Sequence, residues 1–254
     1  MKHMRAIAMA LLASVAANTQ AHDVTLFPIQ DGEAVRLDIF YGDPGDYQPI
    51  DKIRFVELTS YDSKGTRIIF VRDIERVPEN SKKLVTGKLR LGDFAEGTYV
   101  LSGRYDNGFY VHDLENRAIA TTLEWKSEVI DSAHYLKFSK ALFFIDKPGS
   151  GYDRVLGHRV EFVPLADPFS LKEGAQLPVR LLVDGQPKAD YKVEVGDDTA
   201  ASRFPGTRTD ANGIFNVKLD HKGVYRLAVD YRAKSQYAQL YEWDDITASL
   251  VFQR

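Results

Sequence analysis

Apolar and polar residues alternate with a period of two along most of this chain, and almost nowhere with a helical period. From residue 34 to 41, Val35, Leu37, Ile39 and Tyr41 fall on one side and Arg36, Asp38 and Phe40 on the other. A strand sends successive side chains to opposite faces, so this pattern predicts a strand with one buried face. The same reading predicts strands over 52–60, 66–72, 84–91 and 97–105, with the turn Asp62-Ser63-Lys64-Gly65 between the second and third. Residues 106–139 are less regular and lead into an aromatic-rich strand over 135–145.

The pattern restarts after Lys147-Pro148-Gly149-Ser150-Gly151, whose composition is that of a linker. Strands are expected over 159–164, 177–183, 191–195, 214–219, 223–231 and 248–252. Asp184-Gly185 and Asn212-Gly213 supply turn residues suited to positive φ. Many short strands separated by turns predict an all-β protein built as two consecutive immunoglobulin-like antiparallel β-sandwiches. The expected division is a leader over 1–21, an N-terminal sandwich over 22–148 and a C-terminal sandwich over 157–254.

The leader is read from Lys2 and Arg5, the apolar run 6–17 and the small residue Ala21 before a cut. The apolar run is too short to span a bilayer, and no later stretch is apolar enough to do so. Cleavage after Ala21 would export the chain to a bacterial periplasm and leave about 233 residues, enough for one large or two ordinary domains. Apolar residues make up 44% of the chain, which supports a genuine core. There is no cysteine, which excludes thiolate metal sites, cysteine nucleophiles and disulfides. The formal charge is −3, or about −5 without Lys2 and Arg5. That balance gives no nucleic-acid signal and suits cationic ligands better than phosphates.

The cut would make His22 the first residue, with a free α-amine beside its imidazole. Two nitrogen donors on one residue close a chelate ring on a transition metal such as Ni, Co or Cu. The other histidines of the exported part are His112, His134, His158 and His221. None forms a His-x-His or His-x-x-x-His pair, so any metal site must be assembled by the fold. His158 reads as structural and His221 as a turn residue. Gly-x-Ser-x-Gly, phosphate-loop and calcium-loop patterns are absent, so no enzyme is expected.

The stretches His158-Arg159-Val160-Glu161-Phe162-Val163-Pro164 and Leu177-Pro178-Val179-Arg180-Leu181, the turn 209–213 and the ending Ala248-Ser249-Leu250-Val251-Phe252 carry a resemblance. So do the start Ala21-His22-Asp23 and His134-Tyr135-Leu136-Lys137-Phe138. Together they resemble a bacterial periplasmic family of undefined function, often labelled as the periplasmic component of cobalt or nickel uptake. The resemblance implies that His22 and His134 lead a metal site; among the remaining residues His112 is the expected third ligand and Asp23 a carboxylate or supporting partner. A membrane transporter or receptor would be the partner. Family members often carry histidine and glycine where this chain has Tyr41-Gly42, which leaves that position without an imidazole. The alternative is a β-sandwich binding or scaffold module, without metal, for a protein or glycan partner. Trp125, Tyr105, Phe109 and Tyr110 are the aromatics such a module would offer to a sugar.

Overall fold

A computed structural model of the protein describes residues 22–68, 82–86, 89–126, 128–197 and 206–254. Among these residues the regular structure is β throughout, broken only by the short 3-10 turns Lys52–Arg54 and Leu91–Asp93. The chain is all-β, as its alternation predicts.

Three sheets are formed. The first holds β1 (Val24–Asp31), β2 (Ala34–Asp43) and β3 (Asp46–Gln48), with β6 (Lys83–Val85) and β7 (Leu89–Arg90) also pairing with β2. The central sheet runs in the order β15 (Thr207–Arg208), β14 (Lys192–Gly196), β17 (Val224–Lys234), β18 (Trp243–Gln253), β10 (Val129–Ile145), β8 (Gly97–Asp113), β4 (Phe55–Tyr61) and β5 (Arg67–Ile68). Strand β9 (Ala118–Ile119) pairs with β8 beside that row. The third sheet holds β11 (Val160–Pro164), β12 (Gln176–Val183), β13 (Gln186–Pro187) and β16 (Ile214–Lys218). Among the described residues the pairings are antiparallel except one. β10 and β18 run parallel, from Ala133 opposite Trp243 to Leu142 opposite Phe252.

The central sheet therefore has a face for each of the other two. Leu101, Tyr105, Ala141 and Val251 point one way and pack on Val24, Leu26, Leu37 and Ile39 of the first sheet. Phe138, Leu142, Ile246, Leu250 and Phe252 point the other way and pack on Phe162, Leu177, Val179 and Phe215 around the third sheet. Two sandwich cores thus share one wall, whose strands come from both halves of the sequence. Burial of this apolar surface is the main favourable contribution to folding.

Several expected strands are longer than the alternation suggests. β8 and β10 run through most of the stretch that looks irregular in sequence. The reason is a β-bulge: Tyr135 faces Gly108 and Leu136 faces Asp106, leaving Asn107 as the extra residue. Gly108 takes φ +87° there, a conformation that glycine adopts without a Cβ penalty. β1 carries Pro28 and lies at the end of its sheet, where a residue without an N–H is tolerated. Of the strand expected over 66–72, only Arg67–Ile68 is seen, and 69–72 lie outside the described residues. The strand expected over 84–91 appears as β6 and β7, with residues 87 and 88 outside the described set.

The stretch 147–157 is tied down despite its linker composition. Gly149 N donates to Thr98 Oγ1 at 2.9 Å, and Thr98 Oγ1 donates to Gly149 O at 3.0 Å. Lys140 Nζ donates to Arg154 O at 2.8 Å and also binds Glu161 and Phe162 O. Glu161 in turn accepts from Leu156 N at 2.8 Å and Gly157 N at 3.1 Å. Burial holds His158 down to about 4, and its Nε2 lies 2.9 Å from Ser102 Oγ. The structural reading of His158 fits this placement.

Candidate functional site

The first strand pair crosses the central sheet over a row that is polar where the core would require apolar side chains. Reading across β8, β10, β18 and β17, the register aligns Tyr105, Lys137, Thr247 and Asp230. The next row aligns Tyr135, Asp245 and Arg232. Lys137 is 2% exposed. Its pKa is pushed down by burial, opposed by the charges of Asp23, Asp245, Asp230 and Asp43. Its ammonium lies 5.8 Å from the centre of the Tyr135 ring.

His22 and Asp23 arrive above this row. Asp23 is buried and pairs with Arg226. Burial raises its carboxyl above the usual range, while Arg226 and Lys137 pull it back. The His22 ring packs edge-on against Tyr41 at 5.7 Å, and its Nδ1 lies 3.8 Å from Asp43 Oδ2. That nitrogen is buried without a hydrogen-bond partner among the described residues. Gly42 N donates to Asp23 O at 2.8 Å, which fixes the start of β1 to the end of β2. Gly42 has φ +114°, and a Cβ there would lie 2.7 Å from Asp46 O. The backbone requires glycine at this position, whatever its neighbour.

A cavity of about 340 Å³ opens between this strand start and the β14–β17 edge. Asp23, Asp43, Glu194 and Asp230 contribute carboxylates to its wall, and Lys192 and Arg208 contribute cations. Asp190 also lines it but is engaged by Arg208 at 2.7 Å. Asp230 is pushed up to about 7, first by burial among its neighbours and then by Asp23, with Glu194 and Asp245 adding to it and Lys137 opposing. The folded protein therefore holds a proton on Asp230 that the unfolded chain releases near 3.8. This group's stabilisation is complete at low pH and is lost as pH rises toward about 7. Asp230→Asn should remove that loss. Its urea midpoint should gain on the parent between about pH 4 and 8, and a constant difference across that range would contradict the assignment.

The histidines expected to act together are separated. His112 belongs to the same face as Lys137, but it sits with Asp131, 3.7 Å from Nδ1. Asp131 is held by Arg232 at 2.5 Å, which also lies 4.0 Å from Asp245. His134 is on the opposite face of β10, one residue out of step with Tyr135 and Lys137. The Gly108 bulge brings Asp106 under it, so that His134 Nε2 meets Asp106 Oδ1 at 2.8 Å while the ring stacks on Phe109 at 4.2 Å. Asp23 is near His22 but is committed to Arg226. Among the described residues no group of three or more His, Cys, Asp or Glu side chains is arranged to hold a metal ion. His221 stacks on Tyr225 at 4.3 Å, in the turn expected for it.

Sequence reasoning passed over Lys137, Arg226 and Asp230. The available signal was polarity at the inward phase of a strand: Lys137 and Ser139 share the phase of Ala133 and Ala141 in β10.

A domain of unknown function, DUF4198, matches residues 19–233. The chain belongs to this family. That membership agrees with the resemblance to a family of undefined function and carries no metal with it. No curated protein matches the chain. Two solved structures show a loose likeness, each at 11% identity. One is a tetra-tandem repeat in the extending region of a large adhesion protein, with TM-score 0.26, covering 91% of this chain and 48% of that one. This chain thus spans about half the length of that structure. The other is the D0-D1 domain of intimin, with TM-score 0.22, covering 91% of this chain and 98% of that one. At such scores neither likeness bears on fold or function. Among the described residues no helix is long and apolar enough to cross a membrane.

Proposed function

We propose that this DUF4198 protein is a non-enzymatic β-sandwich binding module, exported to the periplasm, that docks a protein partner on one loop-bearing end of its central sheet. The observation that carries this reading is Trp125, which is 85% exposed. Its loop is joined to the β17–β18 loop by Leu123 N donating to Leu240 O at 2.8 Å. The second loop presents Tyr237, 55% exposed. Leu114 at the end of β8 and Ile130 at the start of β10 are exposed at the same end. Single exposed apolar residues are ordinary, but four at one end form an interaction surface. Trp and Tyr bring large contact area at little cost in side-chain freedom, which is why they dominate the energetics of interfaces. The mix of aliphatic and aromatic groups favours a protein over a glycan.

A photo-crosslinking residue at position 125, in cells that naturally make the protein, tests this. One protein adduct is expected at position 125, absent from a control at Lys218 and lost with Tyr237→Ser. Adducts at both positions alike, or none at 125, would overturn the proposal. A sugar-dependent change in Trp125 fluorescence would replace the protein partner with a glycan.

One observation favours a second reading, capture of Ni²⁺, Co²⁺ or Cu²⁺ for an uptake system. His22 Nδ1 lacks a hydrogen-bond partner among the described residues and faces Asp43. A cut after Ala21 would add the α-amine beside it. Calorimetric titration with each metal should then show binding by a chain starting at His22. Binding should weaken when one residue precedes His22, and His134→Ala should leave it unchanged. Equal binding with and without the extra residue would remove the amine from the site.

A further inference from the structure

A run of packed rings connects the central sheet to the loops that carry Trp125 and Tyr237. His134 of β10 stacks on Phe109 of β8, with ring centres 4.2 Å apart and planes 22° apart. Tyr241, in the β17–β18 loop, packs on both, 5.2 Å from Phe109 and 5.5 Å from His134. It is 5% exposed, and the Tyr237 ring lies 6.4 Å from it. The backbone repeats the connection. Leu240 N and Tyr241 N donate to Tyr237 O at 2.8 and 3.1 Å, and Glu242 N donates to Ser132 O at 3.2 Å on the strand that bears His134. The bond from Leu123 N to Leu240 O passes the same restraint to the loop of Trp125. The seat of Tyr241 therefore sets where Tyr237 and Trp125 stand.

One ring in this run can gain a charge. His134 Nε2 meets Asp106 Oδ1 at 2.8 Å, and its side chain is 15% exposed, so protons reach it from solvent. A neutral imidazole makes an ordinary hydrogen bond to that carboxylate. An imidazolium makes a charge-assisted one, roughly twice as strong. Its charge also lies over the Phe109 face and beside Tyr241, where cation–π attraction adds to the contact. The other charged neighbours are already engaged. Asp244 is beside His134 in register on β18, and Arg159 Nη1 holds it at 2.7 Å. Arg159 Nε also reaches Asp184 at 3.3 Å. Burial pushes the Tyr241 phenol above its ordinary range, so it stays neutral while an imidazole titrates.

We propose that His134 is a positioning residue for the docking end: its protonated ring draws Phe109 and Tyr241 together and fixes the Tyr237 and Trp125 loops, so partner binding strengthens as pH falls. This inference rests on the docking reading and adds its regulation.

NMR of the purified protein tests it with no partner present. Between about pH 5 and 8, the span over which imidazoles change charge, the backbone amides of Tyr237 and Leu123 should shift with the same midpoint as the His134 ring protons. His134→Gln keeps a hydrogen-bonding group beside Asp106 and cannot take the charge, so it should abolish those shifts. His112→Gln should preserve them, although His112 lies near the same end beside Asp131. Amides that stay still while the His134 ring titrates would overturn the inference without recourse to any variant. Shifts that survive His134→Gln, or vanish with His112→Gln, would overturn it as well. In cells, the adduct at position 125 should be stronger at about pH 6 than at about pH 8 in the parent, and equal at both in His134→Gln. Equal adduct at both in the parent would overturn the inference and leave the docking reading standing. No adduct at either pH would instead overturn the docking reading, to which the amide shifts are blind.

Discussion

Glu161→Ala should destabilise this protein by about 3–5 kcal/mol, because it strands a charged lysine in the interior. Lys140 and Glu161 are each 1% exposed at the side chain and form a direct ion pair. Burial pushes the lysine pKa down, and Glu161 is the largest influence opposing it. Glu161 also accepts from Leu156 N and Gly157 N, so its loss releases the stretch that leads into β11. Replacing both partners, as in Lys140→Met with Glu161→Leu, should cost less than the single change because no charge is left behind. Recovery should stay incomplete, since two backbone N–H groups would still lack their acceptor. Urea unfolding of the three variants measures this. A single variant within about 1 kcal/mol of the parent would show that the pair does not hold this region.

A large cavity in either core should shift one common unfolding transition. Leu26 is fully buried in the first core and Phe162 is 1% exposed in the second. Leu26→Ala should cost about 2–5 kcal/mol and Phe162→Ala about 3–5 kcal/mol, from lost burial plus the cavity left behind. Each change touches a core built on the same strands, β10 and β18, which show one face to each core. The folded protein should therefore unfold as a unit, with circular dichroism and tryptophan fluorescence tracing the same curve in both variants. Two separate transitions, one moved by Leu26→Ala and the other by Phe162→Ala, would show that the cores unfold independently.

The all-β class was legible because alternation is a local property and most strands here have one apolar phase. β2, with Val35, Leu37 and Ile39 inward, needed nothing beyond its own residues. What was not legible depended on partners distant in sequence. Asp106, Asn107 and Gly108 read as a break, and only the strand opposite turns that break into a bulge. The parallel seam leaves no mark in either strand, since Phe138 and Ala248 would alternate in the same way in two separate sheets. The residues expected as metal ligands show the same limit. His22 and Asp23 could be read only as the start of the exported part, their place beside the end of β2 comes from the fold, and which face of β10 receives His134 is decided by register. Lys137 was passed over because a charge within an apolar alternation is usually a solvated face, and here the first sheet covers it.

The parallel seam also has a consequence for how the chain is assembled. β18 lies far along the chain from β10, and no ribosome or translocation channel can release β10's neighbour until long after β10 itself has emerged. Until then, one edge of β10 is an open row of amide and carbonyl groups, the kind of surface on which chains stick to one another. Changes that unpair β18 should thus affect solubility more than they affect any loop, and a chaperone that shields an exposed strand would act here first.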